Sequence, residues 1–257
     1  MQYRTLALDS KPPIAGIRLV RPAEGNPVDE RFLQELSDAC ERIHDAPDVH
    51  VTVLAAEGDA FSTGWAPAEI ARGPTASRSR LEAAPPFACL EQMAQPVLCA
   101  INSDAISAGL ELALACDVRI AAEGARFALP ETSQGLLPMA GGTQRLARLV
   151  GRGEALRMIL LGEPIDAQEA LRIGLVSAVV PRDRLAAEAE AIAQRIASRG
   201  PLAVRYAKEA VRRGLDQPLD QALRYETDLT IILQTTEDRV EGVRAFVEKR
   251  EPKFKGR

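Results

Sequence analysis

The chain has 257 residues, of which 46% are apolar and 26% charged, the proportions of an ordinary globular protein and not of a disordered, collagen-like or fibrous one. Lys plus Arg number 32 against 36 Asp plus Glu, for a net charge of -4. The basic excess that counterion release on nucleic acid requires is missing, so no nucleic-acid partner is expected. Area scaling lets roughly 70–75% of the surface of a chain this long be buried, enough for one large core without disulfides or metals.

Cys40, Cys89, Cys99 and Cys116 have no CxxC spacing. They read as small hydrophobes in a reducing cytosol, with no metal expected. The first ten residues carry no long apolar run after a basic start, and nowhere does an uncharged apolar stretch approach ~18 residues. A cytoplasmic protein without membrane contact is the expectation. His44 and His50 lie in a polar connection and read as surface residues.

In chain order, strands are predicted at residues 3–8, 16–20, 49–55, 97–101 and 118–121, each rich in Val, Ile or Leu. Between the second and third, Asn26 reads as a helix cap with Pro27 at the first helical position, and Phe32, Leu36, Ala39, Cys40 and Ile43 share one face. Residues 72–79 and Pro85-Pro86 read as surface loop. Beyond Gly141 the pattern becomes helical, at residues 142–150, 153–161, 167–173, 183–198, 202–213, 219–234 and 237–249, with one strand at 176–180. Asp166 to Glu169 resembles a capping box, and Gly174 closes that helix. Alternating strands and helices predict an α/β layered fold.

Phosphate loops, nucleophile elbows, dinucleotide fingerprints and zincin motifs are all missing. Two carboxylates stand out by their surroundings. Glu111 lies in a helix apolar on every side, where an ionisable group must be paired or shifted in pKa. Glu131 follows the apolar strand-like stretch 125–128 and Leu129-Pro130. Two buried acids suit general acid/base chemistry. The plainer alternatives are that Glu111 is a buried partner of Arg119 or Arg145, and that Glu131 merely neighbours a helix cap. Gly141-Gly142 reads as a bend into the next helix, with a phosphate-binding turn as the alternative.

Taken together, Phe61-Ser62-Thr63-Gly64-Trp65, the stretch from Asn102 to Glu111, Leu129-Pro130-Glu131 and the stretch from Gly135 to Gly142 resemble the crotonase, or enoyl-CoA hydratase/isomerase, superfamily. The resemblance runs over residues 17–257, strongest at 111–120, 141–146 and 170–176, with a typical C-terminal segment at 241–250. It implies a spiral of ββα units at residues 1–190 and a C-terminal helical region at 191–257 that joins subunits into a homotrimer or a hexamer. It also implies an acyl-CoA thioester substrate, with no cofactor beyond the coenzyme A that the substrate carries. The backbone N–H groups of Trp65 and Ala108 would bind the thioester oxygen. Glu111 and Glu131 match the two carboxylates of the hydratase branch, with Glu111 as base toward water and Glu131 as proton donor to the α-carbon of a 2-enoyl-CoA.

Asn26, Val28 and Ala66 match the segments that cradle coenzyme A, and Phe254 and Lys255 those that reach the nucleotide from a neighbouring subunit. A solvated basic tail is the alternative for the last two. The chain departs from the family pattern at Ser107-Ala108, where glycines are usual, and at Trp65-Ala66-Pro67. A side chain at residue 107 or 108 costs more than Gly if φ is positive there. Enoyl-CoA isomerisation, acyl-CoA hydrolysis and hydration of a functionalised acyl group such as crotonobetainyl-CoA are the alternative activities. A non-catalytic acyl-CoA-binding subunit is a further one.

Overall fold

A computed structural model describes residues 3–71 and 85–257; the loop expected at 72–79 lies outside the described residues. Two sheets carry the architecture. A six-stranded sheet has the order β1 (Leu6–Lys11), β2 (Ile14–Leu19), β3 (Val51–Ala56), β5 (Val97–Ile101), β7 (Val118–Ala122), β10 (Ala178–Val180), and a four-stranded one the order β4 (Ala60–Ser62), β6 (Asp104–Ile106), β8 (Arg126–Ala128), β9 (Ile165–Asp166). Three times in succession the chain lays one strand in each sheet and then turns into a helix. β3 (Val51–Ala56) and β4 (Ala60–Ser62) lead to the helix Pro67–Ala71, β5 (Val97–Ile101) and β6 (Asp104–Ile106) to Ala108–Leu114, and β7 (Val118–Ala122) and β8 (Arg126–Ala128) to the 3-10 turn Glu131–Gln134. This repeated advance is the expected ββα spiral.

β5 illustrates why the sequence folds this way. Its five residues are all buried, because Val97, Cys99 and Ile101 face the main core while Leu98 and Ala100 face a second core against Leu185 and Ala189. A strand covered on both faces reads as an unbroken apolar run. β2 (Ile14–Leu19), β3, β5, β7 and β10 (Ala178–Val180) pair in parallel, and the helix Leu185–Ala197 covers their outer face.

Three expectations need correcting. Asn26 caps no helix. The helix Glu30–His44 is capped by Asp29, which accepts from Phe32 N at 2.8 Å, while Asn26 sits at φ 50 and bonds Arg21 N, Glu57 O and Ala60 O. The first strand runs over Leu6–Lys11, further along than the predicted 3–8, because its outer half is an exposed edge held by pairing with β2. Pro86, expected on the surface, is buried. The predicted apolar face of Glu30–His44 is buried as expected. Asp166 accepts from Glu169 N and Gly174 has φ 78, as their sequence positions imply. His44 is exposed, and His50 is half-buried beside Ala197 O.

After Pro201 the chain is helical to Glu248, in Pro201–Gly214, Leu219–Gln234 and Glu237–Glu248. Lys208 ties the first of these to the sheet region, with its Nζ 2.7 Å from Asp117 Oδ2 and 3.0 Å from Gln95 O. Among the described residues no helix is long and apolar enough to cross a membrane.

Candidate active site

In the four-stranded sheet β4 lies beside β6 and β6 beside β8, all parallel. The residues that follow these three strands therefore emerge side by side. They are Gly64-Trp65, Ser107-Ala108 and Glu131, three of the segments the sequence singled out.

The first two are pressed together. Gly64 has φ +100, and a Cβ there would lie 2.5 Å from Ser107 Cβ and 2.9 Å from Ile106 O. No L-residue but glycine fits both that conformation and that approach. Ser107 itself adopts φ 54, ψ -129, the positive φ at which a side chain is costly. Gly109 is packed as closely, since a Cβ there would meet Ser62 O at 2.5 Å.

Two backbone donors face away from the surrounding ladders. Val28 N bonds Gly64 O, and Ala66 N bonds Val28 O. In this parallel bridge the N–H of Trp65 points away from Val28. Ala108 opens its helix, and the first intrahelical bond is Glu111 N to Ser107 O, so the Ala108 N–H has no partner within the helix.

Glu111 is fully buried. Its Oε1 accepts from Ala140 N at 2.8 Å and Gly142 N at 2.7 Å, while Oε2 has no partner among the described residues. Its carboxyl is raised to about 7, chiefly by burial and with help from the charge of Glu131, against the opposing pull of the two amides and Arg145. Glu131 is 5% exposed, and neither of its oxygens has a partner among the described residues.

The plainer readings of Glu111 fail. Arg119 bonds the carbonyls of Leu175, Ala113 and Cys116, and Arg145 pairs with Glu91. Glu131 begins its 3-10 turn, so it does neighbour a helix start, yet its side chain caps nothing. Gly141-Gly142 is a bend, as expected, and more than that, because Gly142 N holds the Glu111 carboxylate. The room is tight: a Cβ on Gly142 would come within 2.9 Å of Glu111 Oε1. The alternating apolar pattern could not reveal this cradle of amides, but the Gly-Gly pair was its trace in the sequence.

The remaining candidates lie as follows. Val28 is buried with its side chain in the core, the Asn26 amide is committed inside the protein, and Ala66 is half-buried beside Trp65. Trp65 packs on the core edge, its indole Nε1 buried without a partner among the described residues. Phe254 and Lys255 lie on the C-terminal helices of their own chain. The Phe254 ring approaches Gly200 and Gly242, and Lys255 N bonds Asp238 Oδ1 at 2.6 Å. No described cluster of His, Cys, Asp or Glu could hold a metal.

The family model for enoyl-CoA hydratase/isomerase matches residues 9–257. A crotonyl-CoA hydratase of Syntrophomonas wolfei is 37% identical, covering 99% of each chain. A 2,3-dehydroadipyl-CoA hydratase of Escherichia coli is 40% identical, covering 94% of each. The crystal structure of an enoyl-CoA hydratase from Bacillus anthracis superimposes with a TM-score of 0.95 at 40% identity, over 99% of this chain and 100% of that one. Spiral fold, paired buried glutamates and near full-length similarity lead to one conclusion: this chain belongs to the enoyl-CoA hydratase/isomerase family.

Proposed function

We propose that the protein is an enoyl-CoA hydratase, adding water reversibly to a 2-enoyl-CoA to give a 3-hydroxyacyl-CoA. The observation that carries this reading is the pair of buried glutamates with three carboxylate oxygens that have no partner among the described residues: Glu111 Oε2 and both oxygens of Glu131. Buried polar atoms ordinarily find partners, and three unpartnered acceptors on two acids near enough for the charge of one to act on the other suit one water molecule.

In this mechanism the thioester oxygen accepts from the N–H groups of Trp65 and Ala108. Each such donor is typically worth ~10²–10³ in rate when charge develops on that oxygen. Glu111 takes a proton from the water as it attacks the β-carbon. Glu131 delivers a proton to the α-carbon, and each group adds ~10²–10⁴-fold. Over the whole turnover the elements of one water, H and OH, are added to adjacent carbons, and the starting state returns when Glu111 releases the proton it took and Glu131 regains one from solvent. No cofactor takes part beyond the coenzyme A of the substrate.

Asn26, Val28 and Ala66 shape the coenzyme A cradle through their backbone, and Phe254 and Lys255 serve the nucleotide of a neighbouring subunit. An oligomer, trimer or hexamer, is supported by the apolar residues on the C-terminal helices, with Phe246 84% and Leu215 73% exposed. It is supported also by a total surface of 13654 Å² against about 11,000 Å² for a compact monomer of this size. Residues 1–190 form the catalytic spiral and residues 191–257 the region of assembly, in a cytoplasmic protein.

The test is a panel of 2-enoyl-CoA chain lengths, followed by loss of the conjugated thioester absorbance and by product mass. Hydration adds the mass of one water, isomerisation adds none, and hydrolysis frees coenzyme A. Unchanged absorbance across the panel would refute the proposal. A Glu131→Gln variant that still turns over at the parent rate would refute the assignment of that residue.

A further inference from the structure

The turn that holds Glu111 is itself held from behind. Arg145, on the helix Gly142–Val150, donates from Nη1 to Ala140 O. Its Nε and Nη2 engage both carboxylate oxygens of Glu91, the latter bond at 2.8 Å. The guanidinium lies flush against Gly141, where a Cβ would be 2.1 Å from Nη1. Planar, bidentate and always charged, Arg can fix a carbonyl and a carboxylate at once, which Lys cannot. Glu91 in turn belongs to the short helix Ala88–Gln92, whose main chain is anchored by Arg212 Nη1 donating to Glu91 O at 2.8 Å.

We propose that Arg145, anchored by Glu91, is a positioning residue for hydration, fixing the turn Ala140 to Gly142 so that its two amides hold Glu111 Oε1 and turn Oε2 toward the reacting water. This rests on the hydratase reading above. Arg145 does not act by touching substrate. With Glu91, Leu149 and Val211 it lines a cavity of about 770 Å³ between the helices Gly142–Val150 and Pro201–Gly214, and none of Trp65, Ala108, Glu111 or Glu131 borders that cavity.

Glu131 and Arg145 are the charged groups that act most on Glu111. Of the elements packed on its helix, β4 carries no charge, Asp104 of β6 is paired with Arg126 at 2.6 Å, and Arg148 on the helix Gly142–Val150 faces Asp216 at 3.7 Å. Both the cation of Arg145 and the amides it steadies favour ionised Glu111. Removing Arg145 therefore moves the Glu111 titration to higher pH, whereas a loss of packing alone would not.

The experiment compares Arg145→Gln, Arg145→Lys and Glu91→Gln with the parent, measuring kcat, KM and the pH profile of kcat/KM. Arg145→Gln is expected to lower kcat by roughly 10²-fold, the effect of ~1 Å of misplacement, with KM nearly unchanged. Its acidic limb is expected to move to higher pH, because both the lost cation and the loosened amides had favoured ionised Glu111. Arg145→Lys keeps the cation and should shift the limb less than Arg145→Gln. Glu91→Gln leaves the guanidinium in place without its anchor and should lower kcat in the same sense. An unshifted limb in Arg145→Gln overturns the proposal. If Arg145→Gln does not fold, an unchanged kcat in Glu91→Gln overturns it.

A readout free of turnover separates the two readings, namely the window over which folding stability falls with pH in urea denaturation. That window should extend to higher pH in Arg145→Gln. A parent that hydrates nothing refutes the hydratase reading, while the denaturation window still decides whether Arg145 governs Glu111.

Discussion

Replacing Glu111 by Gln should make the protein more stable, by an amount that grows with pH. Burial lifts the Glu111 carboxyl from 4.5 to about 7. At about 1.4 kcal/mol per unit, the ionised form in the folded state is disfavoured by about 3 kcal/mol. Because the folded value is the raised one, the folded state binds the proton more tightly than the unfolded chain does. The contribution of this group is therefore most favourable below pH 4.5, and it is lost as pH rises through about 7. Glutamine keeps the shape, and its Oε1 can accept the same two bonds from Ala140 and Gly142, but it cannot ionise.

Relative to the parent, Glu111→Gln should gain about 1 kcal/mol at pH 5 and about 3 kcal/mol at pH 8. For a chain of this size that is a rise in Tm of roughly 6–12 °C at pH 8. Urea or thermal denaturation from pH 5 to 8, at one protein concentration so that assembly does not shift the midpoint, measures it directly. Parallel curves for parent and variant would refute the claim that an ionisable, desolvated carboxyl sits at this position. Activity should move the other way, falling by ~10²–10⁴-fold with loss of the base, as expected where a site trades stability for function.

Two other outcomes follow from the contact between the loops. Gly64→Ala should cost ~10²–10³ in kcat, the worth of one oxyanion donor, because the new Cβ, 2.5 Å from Ser107 Cβ, must separate the segments that carry the Trp65 and Ala108 amides; steady-state kinetics on a short 2-enoyl-CoA checks it. Ser107→Gly should stabilise the fold by up to ~2 kcal/mol, since a non-glycine residue in such a conformation costs ~1–3 kcal/mol and glycine returns ~0.5–1 of that as lost chain entropy. A lower urea midpoint for Ser107→Gly would contradict the strain inferred from its φ of 54.

Much of this was legible in the sequence wherever burial is two-sided or a turn is punctuated. Residues 97–101 were readable because both faces are covered, and the helices Gly142–Val150 and Leu219–Gln234 because Gly141 and Pro218 mark their starts. Illegible parts depend on partners distant in sequence. Asn26-Pro27 has the form of a helix start, yet Asn26 is recruited by carbonyls at Glu57 and Ala60, and Asp29 takes the cap. β4, β6 and β9 (Ile165–Asp166) have two or three residues each, too few for any periodicity, although they build the sheet from which the site emerges. The acids themselves could be picked out, since a carboxylate amid alanine and leucine is conspicuous. Their support could not, because Arg145 and Glu91 are 54 residues apart.

That support also separates the two acids chemically. Glu111 has one oxygen fixed by two N–H donors and the other without a partner among the described residues; the donors pull against the desolvation that raises this carboxyl to about 7, and so favour the ionised form that a base toward water must have. Glu131 receives no such bonds among the described residues, where neither of its oxygens has a partner. Paired carboxylates whose surroundings differ in this way can take opposite roles in one step, and here the difference traces to a turn, Ala140 to Gly142, that reaches one acid and not the other. Moving the amides, not the acids, is therefore the sharper way to test which glutamate is the base. A variant that loosens this turn should impair proton removal from water more than proton delivery to carbon. Exchange of the α-proton of a 3-hydroxyacyl-CoA with solvent deuterium, compared with dehydration of the same substrate, would register that asymmetry. Equal losses in both would mean that the two acids share one role.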